Sequence, residues 1–330
     1  VTSRHGDRAS ALDPVTAMLL RVITKRNYVD GDIDIARARA VQGALLGVSL
    51  YRGAGRASGI VDLTLPGGIR ARLYRPRATG PVPTIVFFHG GGWVFGSVPL
   101  YDAQCKRLRD DTGAVVLSVE YRLAPEHPYP AAVEDAIAAT HWAAKNIARL
   151  GGDPDAIGVA GDSAGGNLAT VVAIAMRDAG VTLRGQLLIY PATDFVGLRS
   201  GEASQRYPSH VTNGTGYFLT LAQMNWFADR YIASEEERAN WNASPLRASS
   251  LAGVAPAVVT VGGYDPLLDD VRVYANALRE AHVPVQYLEY PQLVHGFYAL
   301  ASFSKASRKA AKLVGTAFGN VLRSRNGDPR

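Results

Sequence analysis

The stretch that most constrains this chain is residues 157–167, Ile-Gly-Val-Ala-Gly-Asp-Ser-Ala-Gly-Gly-Asn. An apolar run with the character of a buried strand stops at Gly161, and small and apolar residues over 164–176 read as a buried helix. Ser163 stands at the joint. A strand that turns into a helix within so few residues brings two backbones nearly into contact, which leaves no room for side chains at Gly161 and Gly165. The turn lifts the Ser163 hydroxyl above the sheet and aims the first amides of the helix at whatever binds there. The bare Gly-x-Ser-x-Gly pattern arises by accident about 0.2 times in a chain of this composition, so its flanks and the motifs elsewhere decide its meaning.

Those flanks sit in a regular alternation. Helices are expected over residues 11–22 and 33–46, then a hairpin over 60–65 and 69–74 around Pro66-Gly67-Gly68. Strands are expected at 84–88, 115–119, 157–161, 185–190, 258–261 and 285–290, separated by helices at 101–111, 131–150, 164–176, 267–281 and 302–322. Strands alternating with helices specify an α/β fold, here a mostly parallel eight-stranded sheet with helices on both faces. The leading hairpin adds antiparallel strands at one edge. The alternation fails over 195–243, a polar and aromatic stretch containing Tyr207, Tyr217, Phe218, Trp226, Phe227, Tyr231 and Trp241. An insertion of that length inside an α/β sheet is usually a lid or binding segment. The chain therefore divides into an N-terminal helical part (1–50), a first core part (51–194), the insertion (195–243) and a second core part (244–330).

Composition enters mainly to exclude. With 330 residues, 47% of them hydrophobic, the chain can bury a large core. The net charge of +6 owes much to Lys305, Arg308, Lys309, Lys312, Arg323, Arg325 and Arg330. No nucleic-acid motif or aromatic platform accompanies them, so a solvated helix face and tail are expected, and no nucleic-acid partner. The single cysteine, Cys105, stands in no metal or nucleophile motif and reads as buried packing. Residues 1–30 lack the layout of a signal peptide, and no stretch offers the roughly 18 apolar residues of a membrane span. A cytoplasmic location is expected, with no metal and no cofactor.

A serine nucleophile requires a base, a group that orients the base, and donors for an oxyanion. In a sheet of this kind the order is Ser, then Asp or Glu, then His. Only His282 and His295 lie late enough. His282 precedes the last strand and reads as a surface residue, whereas His295 follows that strand, where sites of open α/β sheets assemble. For the acid, Asp265, Asp269 and Asp270 compete. Asp265 is nearest the end of the strand over 258–261, although an Asp before Pro is also an ordinary helix N-cap. Oxyanion donors are expected from the Ala164 amide and from Gly90, Gly91 and Gly92 in His89-Gly-Gly-Gly, a run that arises by accident only about 0.01 times. His89 itself reads as structural, its ring hydrogen-bonded so as to hold that loop open.

His89-Gly90-Gly91-Gly92-Trp93, Tyr121-Arg122-Leu123-Ala124-Pro125-Glu126, Gly161-Asp162-Ser163-Ala164-Gly165-Gly166, Asp265-Pro266-Leu267 and His295-Gly296-Phe297 together resemble the bacterial hormone-sensitive-lipase family of α/β-hydrolases, carboxylesterases of the Gly-Asp-Ser-Ala-Gly type. The resemblance covers residues 55–325. It implies Ser163 as nucleophile, Asp265 as orienting acid and His295 as base, with two of Gly90, Gly91 and Gly92 joining Ala164 in the oxyanion hole. It implies structural roles for Asp162 and Glu126, with Arg122 as partner of one of them, and a cap made from residues 1–50 and 195–243. It also suggests a homodimer through the edge of the last strand. The expected activity is hydrolysis of small to medium acyl esters. The alternatives are an amidase or deacetylase using the same residues, or a non-catalytic ligand receptor. The insertion's Trp226, Phe227 and Tyr231 either wall the acyl pocket or pack the cap onto the body.

Overall fold

The computed structural model describes residues 11–23, 34–46 and 59–324, without the side chains of 22–23 and 41–46. Two helices come first, α1 (Pro14–Ile23) and α2 (Ile35–Leu46), close to the expected spans. The hairpin follows as β1 (Ile60–Thr64) and β2 (Arg70–Tyr74). Then come β3 (Val82–Phe88), α3 (Asp102–Thr112), β4 (Val115–Glu120), α4 (Ala131–Asn146), β5 (Gly152–Asp162), α5 (Ala164–Asp178) and β6 (Gly185–Ile189). The interruption holds four short helices: α6 (Ala203–Arg206), α7 (Ser209–Thr212), α8 (Leu221–Tyr231) and α9 (Glu235–Ala239). The alternation resumes with β7 (Ala257–Tyr264), α10 (Leu268–Glu280), β8 (Val285–Val294) and α11 (Lys305–Arg323).

The strands form one eight-stranded sheet in the order β1-β2-β4-β3-β5-β6-β7-β8. β2 is antiparallel to both β1 and β4, and every other pair is parallel. The central strands β3, β4, β5 and β6 are buried almost throughout, as the uninterrupted apolar runs require when helices cover both faces. α3 packs with α11, and α4 packs with α5.

Residues expected to be solvated behave so: Lys305, Arg308, Lys309, Lys312 and Arg323 line the exposed side of α11, while Arg325 and Arg330 lie outside the described residues. Cys105 is buried and free, and burial pushes its thiol up. One boundary differs. β8 runs four residues past the expected end at Tyr290, because Tyr264 pairs with Val294 after a break in register. The extension carries His295 straight off the end of the strand.

The N-terminal helices are fastened to the body by specific polar contacts. Asp13 accepts from the hydroxyls of Thr16 and Ser304, at 2.7 and 2.9 Å, and its own amide donates to Gln292. Arg39 of α2 reaches the carbonyls of Val94 and Ala124 and pairs with Glu126 at 2.9 Å. Glu126 therefore anchors α2. No helix among the described residues is long and apolar enough to cross a membrane.

Candidate active site

The turn from β5 into α5 is as tight as its glycines require. A methyl group on Gly161 would overlap the carbonyl of Gly165, and one on Gly165 would overlap the carbonyl of Phe88 on the neighbouring strand. Ser163 is held at φ 55° and ψ −120°, a conformation that non-glycine residues adopt only when the surrounding structure imposes it. Its N–H is tied to the carbonyl of Ile189 at 2.9 Å. The hydroxyl thereby stands at the carboxyl edge of the sheet.

The other candidates converge there from the ends of their strands. His295 places Nε2 3.0 Å from Ser163 Oγ and Nδ1 2.8 Å from Asp265 Oδ2. A carboxylate accepts, so Nδ1 carries the proton and Nε2 is left to accept from the serine hydroxyl. Asp265 is fully buried, and its other oxygen accepts the Leu267 N–H at 2.8 Å. It is not the N-cap of α10, a place that Leu267 takes. The Tyr190 ring lies 4.5 Å from the imidazole and restricts its rotation. The competing residues go elsewhere. His282 is exposed, Asp269 accepts from the Ser209 amide, and Asp270 pairs with His210 at 2.8 Å in a buried contact.

Of the three loop glycines, the structure separates one from the others. The Gly90 N–H donates to Asp162 Oδ1 at 2.9 Å, so this amide, expected among the oxyanion donors, is instead spent on the scaffold. The amides of Gly91, Gly92 and Ala164 make no hydrogen bond among the described residues. Gly91 and Gly92 have φ of 117° and 60°, the left-handed region in which a side chain is strained. His89 is fully buried, with Nδ1 2.8 Å from the Gly90 carbonyl and its ring stacked on Tyr121 at 4.3 Å. Burial lowers its pKa and keeps the ring neutral, so Nδ1–H is the donor. The expected structural role of His89 thus has a concrete contact.

Asp162 is buried, and burial raises its carboxyl to about 6 against the opposing pull of the Gly90 N–H and the Tyr101 hydroxyl, 3.1 Å from Oδ2. Arg122 does not pair with Asp162 or Glu126, as the resemblance implied. It binds Asp135 and Glu134 of α4, both at 2.9 Å. The long loop before α4 folds back on that helix's first turns, and this brings two nearer acids to the guanidinium.

The insertion's aromatics divide between the two roles. Tyr231 is buried and stacks on Trp93 at 4.4 Å, which is packing. Phe227 stands so close to the Cα of Gly92 that a methyl there would overlap its ring, and Phe218 lies against Gly296 beside His295. Phe227 thus lies against the glycine loop and Phe218 against the turn that follows His295. Trp226 stacks on Phe95 with the Arg230 guanidinium 3.6 Å above its ring. Among the described residues no group of three or more His, Cys, Asp or Glu side chains is arranged to hold a metal ion.

Residues 85–299 match the model of a family described as having the α/β-hydrolase fold. A carboxylic ester hydrolase of Mycobacterium tuberculosis, LipN, is 41% identical over 309 residues, which is 88% of this chain and 78% of LipN. The ethyl acetate hydrolase of Pseudomonas putida is 36% identical over 256 residues, 76% of this chain and 77% of that protein. Among solved structures, a hyperthermophilic esterase from the archaeon Pyrobaculum calidifontis superposes with a TM-score of 0.87 at 36% identity, covering 96% of this chain and 100% of that one. The chain belongs to the α/β-hydrolase fold family, on its hormone-sensitive-lipase-like carboxylesterase branch.

Proposed function

We infer that this protein is a serine carboxylesterase that hydrolyses small to medium acyl esters through an acyl-enzyme intermediate. The observation that carries the reading is the unbroken chain from Ser163 Oγ through His295 to Asp265, with links of 3.0 and 2.8 Å. His295 takes the serine proton as Oγ attacks the ester carbonyl, and Asp265 stabilises the imidazolium that forms. The oxyanion is held by the amides of Gly91, Gly92 and Ala164, each donor contributing about 3 kcal/mol. The proton on Nε2 then leaves with the alcohol. Water repeats the sequence on the acyl-enzyme, with His295 again as base.

The limit on substrate size is supported by Phe227 against the glycine loop and by the relative named for ethyl acetate. A cytoplasmic setting and a homodimer through the free edge of β8 complete the reading. The first fits the lone buried thiol and the second fits an outer strand. Gel filtration with light scattering tests the dimer.

The decisive experiment uses p-nitrophenyl butyrate. Ser163→Ala and His295→Ala should each lower turnover by roughly 10⁴- to 10⁶-fold. A fluorophosphonate probe should label the wild type and not Ser163→Ala. Near-normal rates in either variant would refute the assignment.

A further inference from the structure

We propose that Asn213, Ser209 and His210 of the insertion are positioning residues that hold Asp265 in line with His295. The proposal rests on the reading of Asp265 as the acid of the triad. The segment carrying Asp265 leaves β7 where the sheet loses its grip. Gly262 pairs with Tyr290, but the next paired residue, Tyr264, faces Val294, so the ladder breaks register just before the acid. Such a bulge re-aims the chain and leaves backbone groups without ladder partners. Beyond it, the nearby chain offers only the Leu267 N–H to the Asp265 side chain and the Leu268 N–H to its carbonyl.

The missing restraint arrives from a segment 50 residues earlier. The side-chain amide of Asn213 donates to the carbonyls of Gly263 at 3.1 Å and of Asp265 at 3.0 Å. One NH₂ group thereby ties the backbone on both sides of Tyr264. Ser209 Oγ donates to the Pro266 carbonyl at 2.7 Å and accepts the Asp269 N–H at 3.1 Å, while the Ser209 N–H donates to Asp269 Oδ2 at 2.8 Å. His210, fully buried, closes the set against Asp270 at 2.8 Å. The turn from Gly263 to Asp270 is therefore gripped along its length by α7 and the residue after it.

This grip bears on the chemistry because the carboxylate must stay aligned with Nδ1 of His295. A misplacement of about 1 Å in a catalytic group costs roughly 10²-fold in rate. The insertion thus does more than roof the site: the segment that brings Phe218 against Gly296 and Phe227 against Gly92 also sets the orientation of the base. Asn suits position 213 because two carbonyl acceptors face it. Alanine supplies no donor, and aspartate would bring oxygens where oxygens already stand.

The test measures kcat and KM on p-nitrophenyl butyrate per active site titrated with a fluorophosphonate, so that unfolded protein does not count. Asn213→Ala should lower kcat about 10- to 100-fold with KM changed by less than about twofold, and Asn213→Asp should lower it at least as far. In an Asp265→Asn background, where the aligned carboxylate is already lost, the Asn213→Ala penalty on the residual rate should shrink below about threefold. If Asn213→Ala proves too unstable to titrate, Ser209→Ala, which removes only a hydroxyl, replaces it, with an expected fall of about 3- to 10-fold and the same loss of effect in the Asp265→Asn background. A kcat within about twofold of wild type per titrated site, or a penalty undiminished in that background, would overturn the proposal. Asp265→Asn turning over at near-normal rate would instead overturn the triad reading beneath it.

Discussion

The backbone N–H of Gly90 donates to Asp162 Oδ1 across 2.9 Å, which ties the residue before Ser163 to the loop that follows β3. The same carboxylate accepts from Tyr101. The Ser163 turn and the glycine loop are thereby held in one register. Asp162→Ala would leave the buried Gly90 amide unpaired, at a cost of about 1–3 kcal/mol, and release the loop. The expected result is a fall in kcat of about 10- to 100-fold with a smaller change in KM. Asp162→Asn keeps an acceptor and should recover most of the loss. Steady-state kinetics on p-nitrophenyl butyrate decide between these outcomes.

The same carboxylate carries a pH signature. Burial raises Asp162 from 3.8 to about 6 in the folded protein. Between those values the native state keeps a proton that the unfolded chain has released, so this group favours folding most below pH 3.8 and that contribution is lost as pH rises through about 6. Melting temperatures of wild type and Asp162→Asn, compared from pH 4 to 7, should show the wild type losing ground to the variant up to about pH 6 and then running parallel to it. A constant difference across the range would contradict the raised value.

Close packing at the Ser163 turn predicts a stability loss without any change of polarity. Gly165→Ala would press a methyl into the Phe88 carbonyl, with the His89 carbonyl also 2.5 Å away. Both neighbours are backbone, at the end of β3 and one residue past it, and cannot yield cheaply, so the cost should reach about 3 kcal/mol. Denaturant unfolding should show the unfolding free energy lowered by that amount, with activity on p-nitrophenyl butyrate lost in parallel.

The insertion's aromatics should separate by experiment. Phe227→Ala opens space directly over Gly92 and should shift preference toward longer acyl chains, read from a p-nitrophenyl ester series from acetate to palmitate. Tyr231→Ala removes a buried ring stacked on Trp93. It should cost about 3–5 kcal/mol of stability and leave the chain-length preference of the folded fraction unchanged. Equal effects of the two variants on selectivity would argue against the division.

Much of this architecture is legible along the chain, for a physical reason that differs from case to case. Strand and helix alternation shows because periodicity depends on near neighbours, and the glycines flanking Ser163 show because a backbone contact made within five residues admits nothing larger. Asp265 and His295 are legible from their places after strands, even though Asp265-Pro266 fits a helix cap equally well in sequence. The structure assigns one carboxylate oxygen to the Leu267 amide and the other to His295.

Other features have no signature in the order of residues. Gly90, Gly91 and Gly92 are chemically identical in sequence, and only the approach of Asp162 sets the Gly90 amide apart by bonding it. Arg122 had several acids within reach and took Asp135 and Glu134 once α4 was in place. Asn213 sits in a stretch with no periodicity, yet it grips the turn that carries Asp265, 52 residues away. By itself the sequence determined which local geometries the chain can adopt, because those depend on sterics and on burial patterns within a few residues. Which amide, which carboxylate and which carbonyl meet was decided only by the tertiary structure, because a hydrogen bond depends on distance and direction in space, and these exist only after the sheet has closed and the insertion has folded over its edge.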